Sequence, residues 1–134
     1  MDKERLALII NNIETNLQDA DERFSKEESF TNKLLFDAGC MALFQALNRS
    51  IDLAEEVLVQ KKLEVPAGYS DSFVILEKHK LIDKDTSEGM RKLVKYRNLI
   101  SHEYYNITPK DVKKILGLIT HADTFLDQVR KLIK

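Results

Sequence analysis

The sequence predicts an all-α protein, an antiparallel bundle of four to five helices that forms a homodimer. Apolar residues recur every three or four positions along most of the chain, which is the period of an amphipathic helix. Only four glycines and two prolines occur in 134 residues, so the chain has few of the turn signals that a sheet requires. Segment 34–47 is apolar on nearly every side, and such a helix must be covered by the rest of the chain and by a second copy.

Composition sets limits on size and on partners. The length fits one domain, residues 1–134. The formal net charge is −1, so the chain lacks the broad basic face of a protein that coats nucleic acid. Any contact with nucleic acid must therefore be confined to one site.

Nothing in the sequence predicts a membrane segment or a leader peptide. The charged residues 1–5 are not followed by an apolar core, and segment 34–47 is too short to span a bilayer. The single cysteine, Cys40, lies in that segment and is expected to be a buried, reduced thiol. We therefore expect a cytoplasmic protein.

Two helices are predicted in the first half of the chain. The first runs from about Lys3 to Ala20. Ser25 followed by Glu28 forms a capping box, which predicts a second helix from about Lys26 that continues until Pro66. This second helix carries a polar stripe, which is either a solvated face with helix salt bridges or a face whose Arg49 or Asp52 lines an active cleft. The stripe consists of Gln45, Arg49, Asp52 and Glu56.

Three helices are predicted in the second half. Ser70 can cap a short helix, and Asp85 with Glu88 can cap the next. Thr108 and Pro109 open the last helix, whose apolar residues follow a three-four alternation typical of antiparallel packing. These seam residues are Val112, Ile115, Ile119, Ala122, Leu126, Val129 and Ile133.

Arg97 is out of place for a helix core. At 100° per residue it lies in the middle of the apolar stripe that Met90, Leu93 and Val94 form. A guanidinium there is a snorkelling group, a member of a buried salt bridge, or a group that faces a cleft. His102 would lie about 140° from Arg97 on a continuous helix, so we expect the helix to end or bend near Ser101.

Metal and cofactor motifs are missing from the sequence. His79, His102 and His121 are far apart and have no partners at zinc-ligand spacing. No glycine-rich phosphate loop is present. We therefore expect no metal and no cofactor, and chemistry that uses arginine, histidine and a hydroxyl.

Residues 97–104, Arg-Asn-Leu-Ile-Ser-His-Glu-Tyr, match the RNxxxHxY form of the Rx4-6H motif of HEPN domains. The chain resembles the HepT-type (DUF86) toxins of HEPN/MNT toxin–antitoxin systems. Residues 46–54 resemble the central helix of that family, and residues 69–73 with Leu76 resemble the segment before its motif helix. The spacing of arginine and histidine occurs often by chance, whereas the combined pattern is specific.

The resemblance implies a metal-independent endoribonuclease, the toxin of a type VII-like system, with a cognate MNT nucleotidyltransferase as antitoxin. Arg97 and His102 match the catalytic pair, and we expect Asn98 and Ser101 to orient or support it. A two-fold dimer that places two copies of the pair across one cleft would supply both proton transfers of RNA cleavage.

Tyr104 matches the tyrosine that the antitoxin modifies with AMP. The modification would add negative charge and bulk beside Arg97 and so neutralise the toxin. Tyr105 is an additional tyrosine, so the position of the modification is open between the two.

The alternative function is a non-catalytic module that binds nucleotide or a partner nucleotidyltransferase. A purely structural bundle would not explain Arg97.

Overall fold

The computed structural model describes residues 1–102 and 106–134 and confirms the all-α fold, with six α-helices in these ranges instead of four to five. No helix in the described ranges combines the length and the apolar character that a membrane crossing requires. The helices are α1 (Lys3–Arg23), α2 (Glu28–Thr31), α3 (Lys33–Gln60), α4 (Tyr69–Lys78), α5 (Lys84–His102) and α6 (Pro109–Leu132).

α1 packs antiparallel to α3. The backbone N–H of Asp2 donates to Gln60 over 2.9 Å, and Arg5 pairs with Glu56 over 2.6 Å. Residue numbers therefore fall along α3 as they rise along α1. Leu6 and Ile10 of α1 are buried, whereas Arg5 is 60% exposed, so the ion pair lies at the rim of an apolar interface.

α6 closes the bundle against α1 and α5. A groove between α1 and α6 is lined by residues within 7–11 and 130–134 at one end, and within 14–21 and 116–123 further along. These two helices are therefore antiparallel as well, as the apolar seam of α6 predicts.

The long helix predicted from Lys26 to Pro66 is wrong at both ends, because the chain breaks at Asn32 into α2 and α3 and because α3 ends at Gln60. Asn32 has an extended backbone (φ −91°, ψ 120°), and its Oδ1 accepts the N–H of Leu35 over 3.2 Å, which caps α3. Ser25 does not cap a helix start. Its hydroxyl donates to the carbonyl oxygen of Glu22 at the end of α1.

Three phenylalanines explain this break. The ring of Phe30 stacks on Phe24 at 5.2 Å between centroids, and Phe36 contacts Phe24 edge-on at 6.2 Å. On one continuous helix, Phe30 and Phe36 would point about 120° apart. A turn between the two residues lets both rings reach Phe24.

The predicted caps Ser70 and Asp85 both lie inside their helices. α4 follows Gly68, which has no side chain to cap it. Asp83 caps α5, since its Oδ1 accepts the N–H of Thr86 over 2.8 Å. The other oxygen of Asp83 accepts a hydrogen bond from a glutamine of α6 over 2.7 Å. A tertiary contact therefore selects Asp83 over the equally suitable aspartate two residues later.

The start of α6 is confirmed. Thr108 and Asp111 form a reciprocal capping box, and Pro109 occupies the first turn. Five of the seven predicted seam residues are buried and the other two are half-buried. Phe125, which the seam omitted, is fully buried and packs edge-on against Phe73 of α4 at 5.3 Å.

The apolar first half of α3 is only partly covered by its own chain. Leu34 is 81% exposed, Met41 52% and Leu35 41%, whereas Cys40 and Leu43 are fully buried. One chain therefore leaves a face of α3 uncovered, and the second copy expected to cover it stays a prediction.

Cys40 is a buried free thiol, as predicted. Burial, with a smaller contribution from the charge of Asp37, raises the pKa of the thiol to about 12. Cys40 therefore acts as a small apolar side chain in the core.

Candidate active site around Arg97 and His102

Arg97 lies half-buried on the side of α5 that faces α3. Its Nε and Nη2 atoms both donate to the Oδ1 atom of Asn48 on α3, over 3.1 and 3.0 Å. Its Nη1 atom donates to the Oδ1 atom of Asn98 over 3.2 Å. The guanidinium is therefore fixed by two side-chain amides, one of them from another helix.

Two aromatic rings complete the surroundings of Arg97. Its Cζ atom lies 4.8 Å from the centroid of the Tyr69 ring and 5.4 Å from that of Phe44. Tyr69 is the first residue of α4, and Phe44 lies one helical turn before Asn48 on α3. A cation over an aromatic face is stabilised by the negative potential of that face.

No carboxylate of the described residues pairs with Arg97. By contrast, Arg5, Arg23, Arg91 and Arg130 each pair with an aspartate or glutamate. Arg49 also lacks such a partner among the described residues, but it is exposed. Arg97 is thus a partly buried cation with neutral partners, and its charge is not compensated within the described chain. Such a group attracts an anion, and a planar guanidinium suits phosphate.

His102 is the last residue of α5 and is exposed, as is Ser101 before it. The residues that follow lie outside the described ranges, so the end or bend expected near Ser101 stays a prediction. Among the described residues, the His102 side chain makes no hydrogen bond or ion pair. Because α5 is helical throughout, His102 and Arg97 lie about 140° apart around its axis and about 7.5 Å apart along it. One chain does not bring this predicted pair together on one face.

Arg49 and Asp52 line a groove between α3 and α1 instead of contacting Arg97. The Nη1 atom of Arg49 donates to the Oδ1 atom of Asn16 on α1 over 2.9 Å. Asp52 lines the same groove, beside Arg5 and Ile9. Both residues are exposed, and their predicted place in an active cleft stays a prediction.

Tyr104 and Tyr105 lie outside the described residues, and with them the predicted site of modification. Among residues 1–102 and 106–134, no cluster of three or more histidine, cysteine, aspartate or glutamate side chains could hold a metal ion.

Sequence reasoning missed the groups that hold Arg97. Asn48 and Tyr69 lie within the segments that carry the family resemblance, but no role followed from their positions. Phe44 and Asn48 are four residues apart and so share one face of α3. That spacing is the one local signal, and it does not show which helix the face meets.

Solved structures with this fold include toxin–antitoxin complexes. The tri-AMPylated HEPN toxin of Shewanella oneidensis, in complex with its MNT antitoxin, matches with a TM-score of 0.85 and 22% identity over 98% of each chain. A toxin–antitoxin structure with AMP-PNP also matches with a TM-score of 0.85, at 21% identity, over 94% of this chain and 97% of that one. At these identities the likeness shows a shared fold.

The sequence also matches a curated relative and a family. The mRNA nuclease HepT of Shewanella oneidensis is 30% identical over 73 residues, which are 54% of this chain and 55% of the relative. The match therefore spans about half the length of that protein. The model of the HepT-like ribonucleases matches over residues 12–132, nearly the whole chain, so the protein belongs to the HepT-like ribonuclease family.

Proposed function

We propose that this protein is a metal-independent endoribonuclease, the toxin of a HEPN/MNT toxin–antitoxin system. The observation that carries the proposal is the uncompensated charge of Arg97, which is half-buried, fixed by Asn48 and Asn98, and without a carboxylate partner among the described residues. A phosphodiester of RNA is the anion that best fits such a group in this family.

The reaction needs two proton transfers and stabilisation of charge on phosphorus. The RNA 2′-oxygen loses a proton to a base and attacks the adjacent phosphorus, the bond to the 5′-oxygen breaks, and that oxygen takes a proton from an acid. An imidazole can give or take a proton near neutral pH, and His102 is exposed where it can do so. Arg97 would donate hydrogen bonds to the charged phosphate oxygens.

Two subunits would supply the whole set of groups. Arg97 and His102 lie about 140° apart around α5, so one chain does not hold both on the same face of the helix. A second copy, packed against the uncovered face of α3 that includes Leu34 and Met41, could place its own His102 opposite. This supports the homodimer as the active form.

Tyr104 is proposed as the residue that the antitoxin controls. The neighbour of known structure from Shewanella oneidensis is a tri-AMPylated toxin in complex with an MNT antitoxin. We extend both features to this chain, with a cognate nucleotidyltransferase that adds AMP to Tyr104 or Tyr105. Intact-mass measurement of Tyr104→Phe and of Tyr105→Phe, each co-expressed with the nucleotidyltransferase, identifies the acceptor. Unchanged AMP addition to both variants would contradict this assignment.

Cleavage of RNA by the purified protein in the presence of EDTA tests the proposed activity. We expect Arg97→Ala and His102→Ala to lower the cleavage rate by at least about a hundredfold, and to abolish growth arrest on induction. Equal cleavage by wild type and both variants would overturn the catalytic assignment. Binding of RNA without any cleavage would favour the non-catalytic module.

Mixed dimers test the sharing of the site. A dimer with one wild-type subunit and one His102→Ala subunit should cleave far more slowly than wild type if both imidazoles take part. Full activity of the mixed dimer would show that one histidine is sufficient.

We also propose the cytoplasm as the compartment, since a buried free thiol such as Cys40 is compatible with reducing conditions.

A further inference from the structure

The hydrogen bonds of Arg97 to described residues use three of its five guanidinium N–H groups. An arginine carries one N–H on Nε and two on each terminal nitrogen. Asn48 accepts from Nε and from Nη2, and Asn98 accepts from Nη1. Among the described residues, one N–H on each terminal nitrogen therefore has no partner, and two such groups can bind two oxygens of one phosphate.

We propose that Asn48 and Tyr69 are positioning residues that aim this pair of N–H groups at the scissile phosphate. The inference rests on the proposed ribonuclease function and adds two residues to its site. Asn48 sets the rotation of the guanidinium in its own plane, because a single amide oxygen accepts from two of its nitrogens. Tyr69 sets the tilt of that plane, because its ring centroid lies 4.8 Å from the Cζ atom.

Tyr69 is itself held in place at the start of α4. The Oδ2 atom of Asp71 accepts the backbone N–H of Ala67 over 2.8 Å, which fixes the turn that leads into α4. Tyr69 is 42% exposed, so its ring is not required to fill the core. Replacing it should therefore change the site more than the stability of the fold.

The neutrality of Asn48 is part of the proposal. An aspartate at position 48 would offer the same acceptor geometry but would add a negative charge beside Arg97. Asn48→Asp should thus keep the guanidinium in place and still weaken phosphate binding, because the new carboxylate would compete with phosphate for the same cation. Asn48→Ala should weaken binding by releasing the guanidinium.

RNA binding in an inactive background separates these effects. All variants carry His102→Ala, and the dissociation constant is measured with a mixed-sequence single-stranded RNA oligonucleotide. We expect Tyr69→Leu, Asn48→Ala and Asn48→Asp each to raise the dissociation constant about three- to tenfold. Tyr69→Phe, which keeps the ring, should bind as the background does, and so should the matched control Asn11→Ala on α1.

Coupling to Arg97 shows whether the two residues act through it. With Arg97→Ala also present, Tyr69→Leu and Asn48→Ala should cause no further loss of binding. The same loss with and without Arg97, or equal binding by Tyr69→Leu and Tyr69→Phe, would overturn the proposal.

A spectroscopic measurement tests the geometry without reference to RNA. In the ¹⁵N-labelled wild-type protein, the Nε–Hε signal of Arg97 should exchange slowly with water, and Tyr69→Leu should shift it. Exchange as fast as that of the exposed Arg49, whose Nε has no hydrogen-bond partner among the described residues, would overturn the proposed positioning of Arg97. A second outcome separates the two proposals. If the Arg97 signal is protected, but the wild-type protein, Arg97→Ala and His102→Ala all cleave RNA equally, the proposed function fails while the positioning of Arg97 by Asn48 and Tyr69 stands.

Discussion

Replacing Gly89 with alanine should destabilise the protein, because α5 and α6 approach closely at this glycine. A Cβ atom at position 89 would lie 2.1 Å from the Cγ atom and 2.3 Å from the Nδ1 atom of His121 on α6. Contacting carbon atoms normally lie about 3.5–4.0 Å apart. Since Cγ is the first ring atom, the ring cannot turn away unless its χ1 angle changes or the helices separate by more than about 1 Å.

Two opposite effects decide the magnitude. Alanine in a helix interior is favoured over glycine by about 1 kcal/mol. Overpacking of a close helix contact costs about 1–3 kcal/mol, and a contact this short lies in the upper part of that range. We therefore expect Gly89→Ala to lower the free energy of unfolding by about 1–2 kcal/mol. Gly117 of α6 offers the matched control, because a Cβ atom there has no neighbour within 4 Å.

Urea denaturation of four variants measures both effects. Gly117→Ala should raise the free energy of unfolding by up to about 1 kcal/mol. Gly89→Ala should lower the free energy of unfolding in the wild-type background. In a His121→Ala background, where the obstructing ring is gone, Gly89→Ala should raise it by about as much as Gly117→Ala does. The reasoning is refuted if Gly89→Ala is as stable as Gly117→Ala, or if it remains destabilising without the His121 ring.

Cys40 in the folded protein should resist thiol reagents near neutral pH, because the pKa of its buried thiol is raised to about 12; labelling before and after denaturation measures this. Glu64→Gln should lower the Tm at neutral pH but not in acid. Hydrogen bonds from His79, and to a smaller extent from Lys78, lower the pKa of Glu64 from its usual 4.5 to about 2. The contribution of Glu64 to stability is therefore complete above pH 4.5 and is lost as the pH falls towards 2. Thr108→Ala should lower the free energy of unfolding by about 1 kcal/mol through loss of a cap, measured from the urea midpoint.

Each of these outcomes has a clear opposite. Fast labelling of folded Cys40 would show that its surroundings open readily. A Tm difference for Glu64→Gln that persists down to pH 2 would show that its effect is not electrostatic. An unchanged urea midpoint for Thr108→Ala would show that the end of α6 does not limit stability.

Local signals explain why α6 was predicted well and why the start of α3 was not. The cap, the first-turn proline and the seam of α6 all lie in its own sequence. The break at Asn32 depends on Phe24, Phe30 and Phe36 meeting in space. Periodicity within one segment does not reveal such a meeting, and Ser25 offered an equally good cap in the wrong place.

The same distinction applies to the site. The position of Arg97 in an apolar stripe was visible within a single helix. Its partner Asn48 lies 49 residues away in sequence, and Tyr69 begins a different helix, so neither could be assigned without the packing of α3, α4 and α5. The sequence therefore predicted that Arg97 needs partners but not which residues these are.

The two predicted catalytic residues are held very differently, and this determines how their variants should be interpreted. Arg97 contacts Asn48, Asn98, Phe44 and Tyr69, so Arg97→Ala removes packing and leaves two amide oxygens without their donor. His102 is exposed, and its side chain makes no hydrogen bond or ion pair among the described residues. Loss of activity in Arg97→Ala therefore combines lost chemistry with a loosened junction of three helices. Loss of activity in His102→Ala at an unchanged Tm would report the chemistry alone.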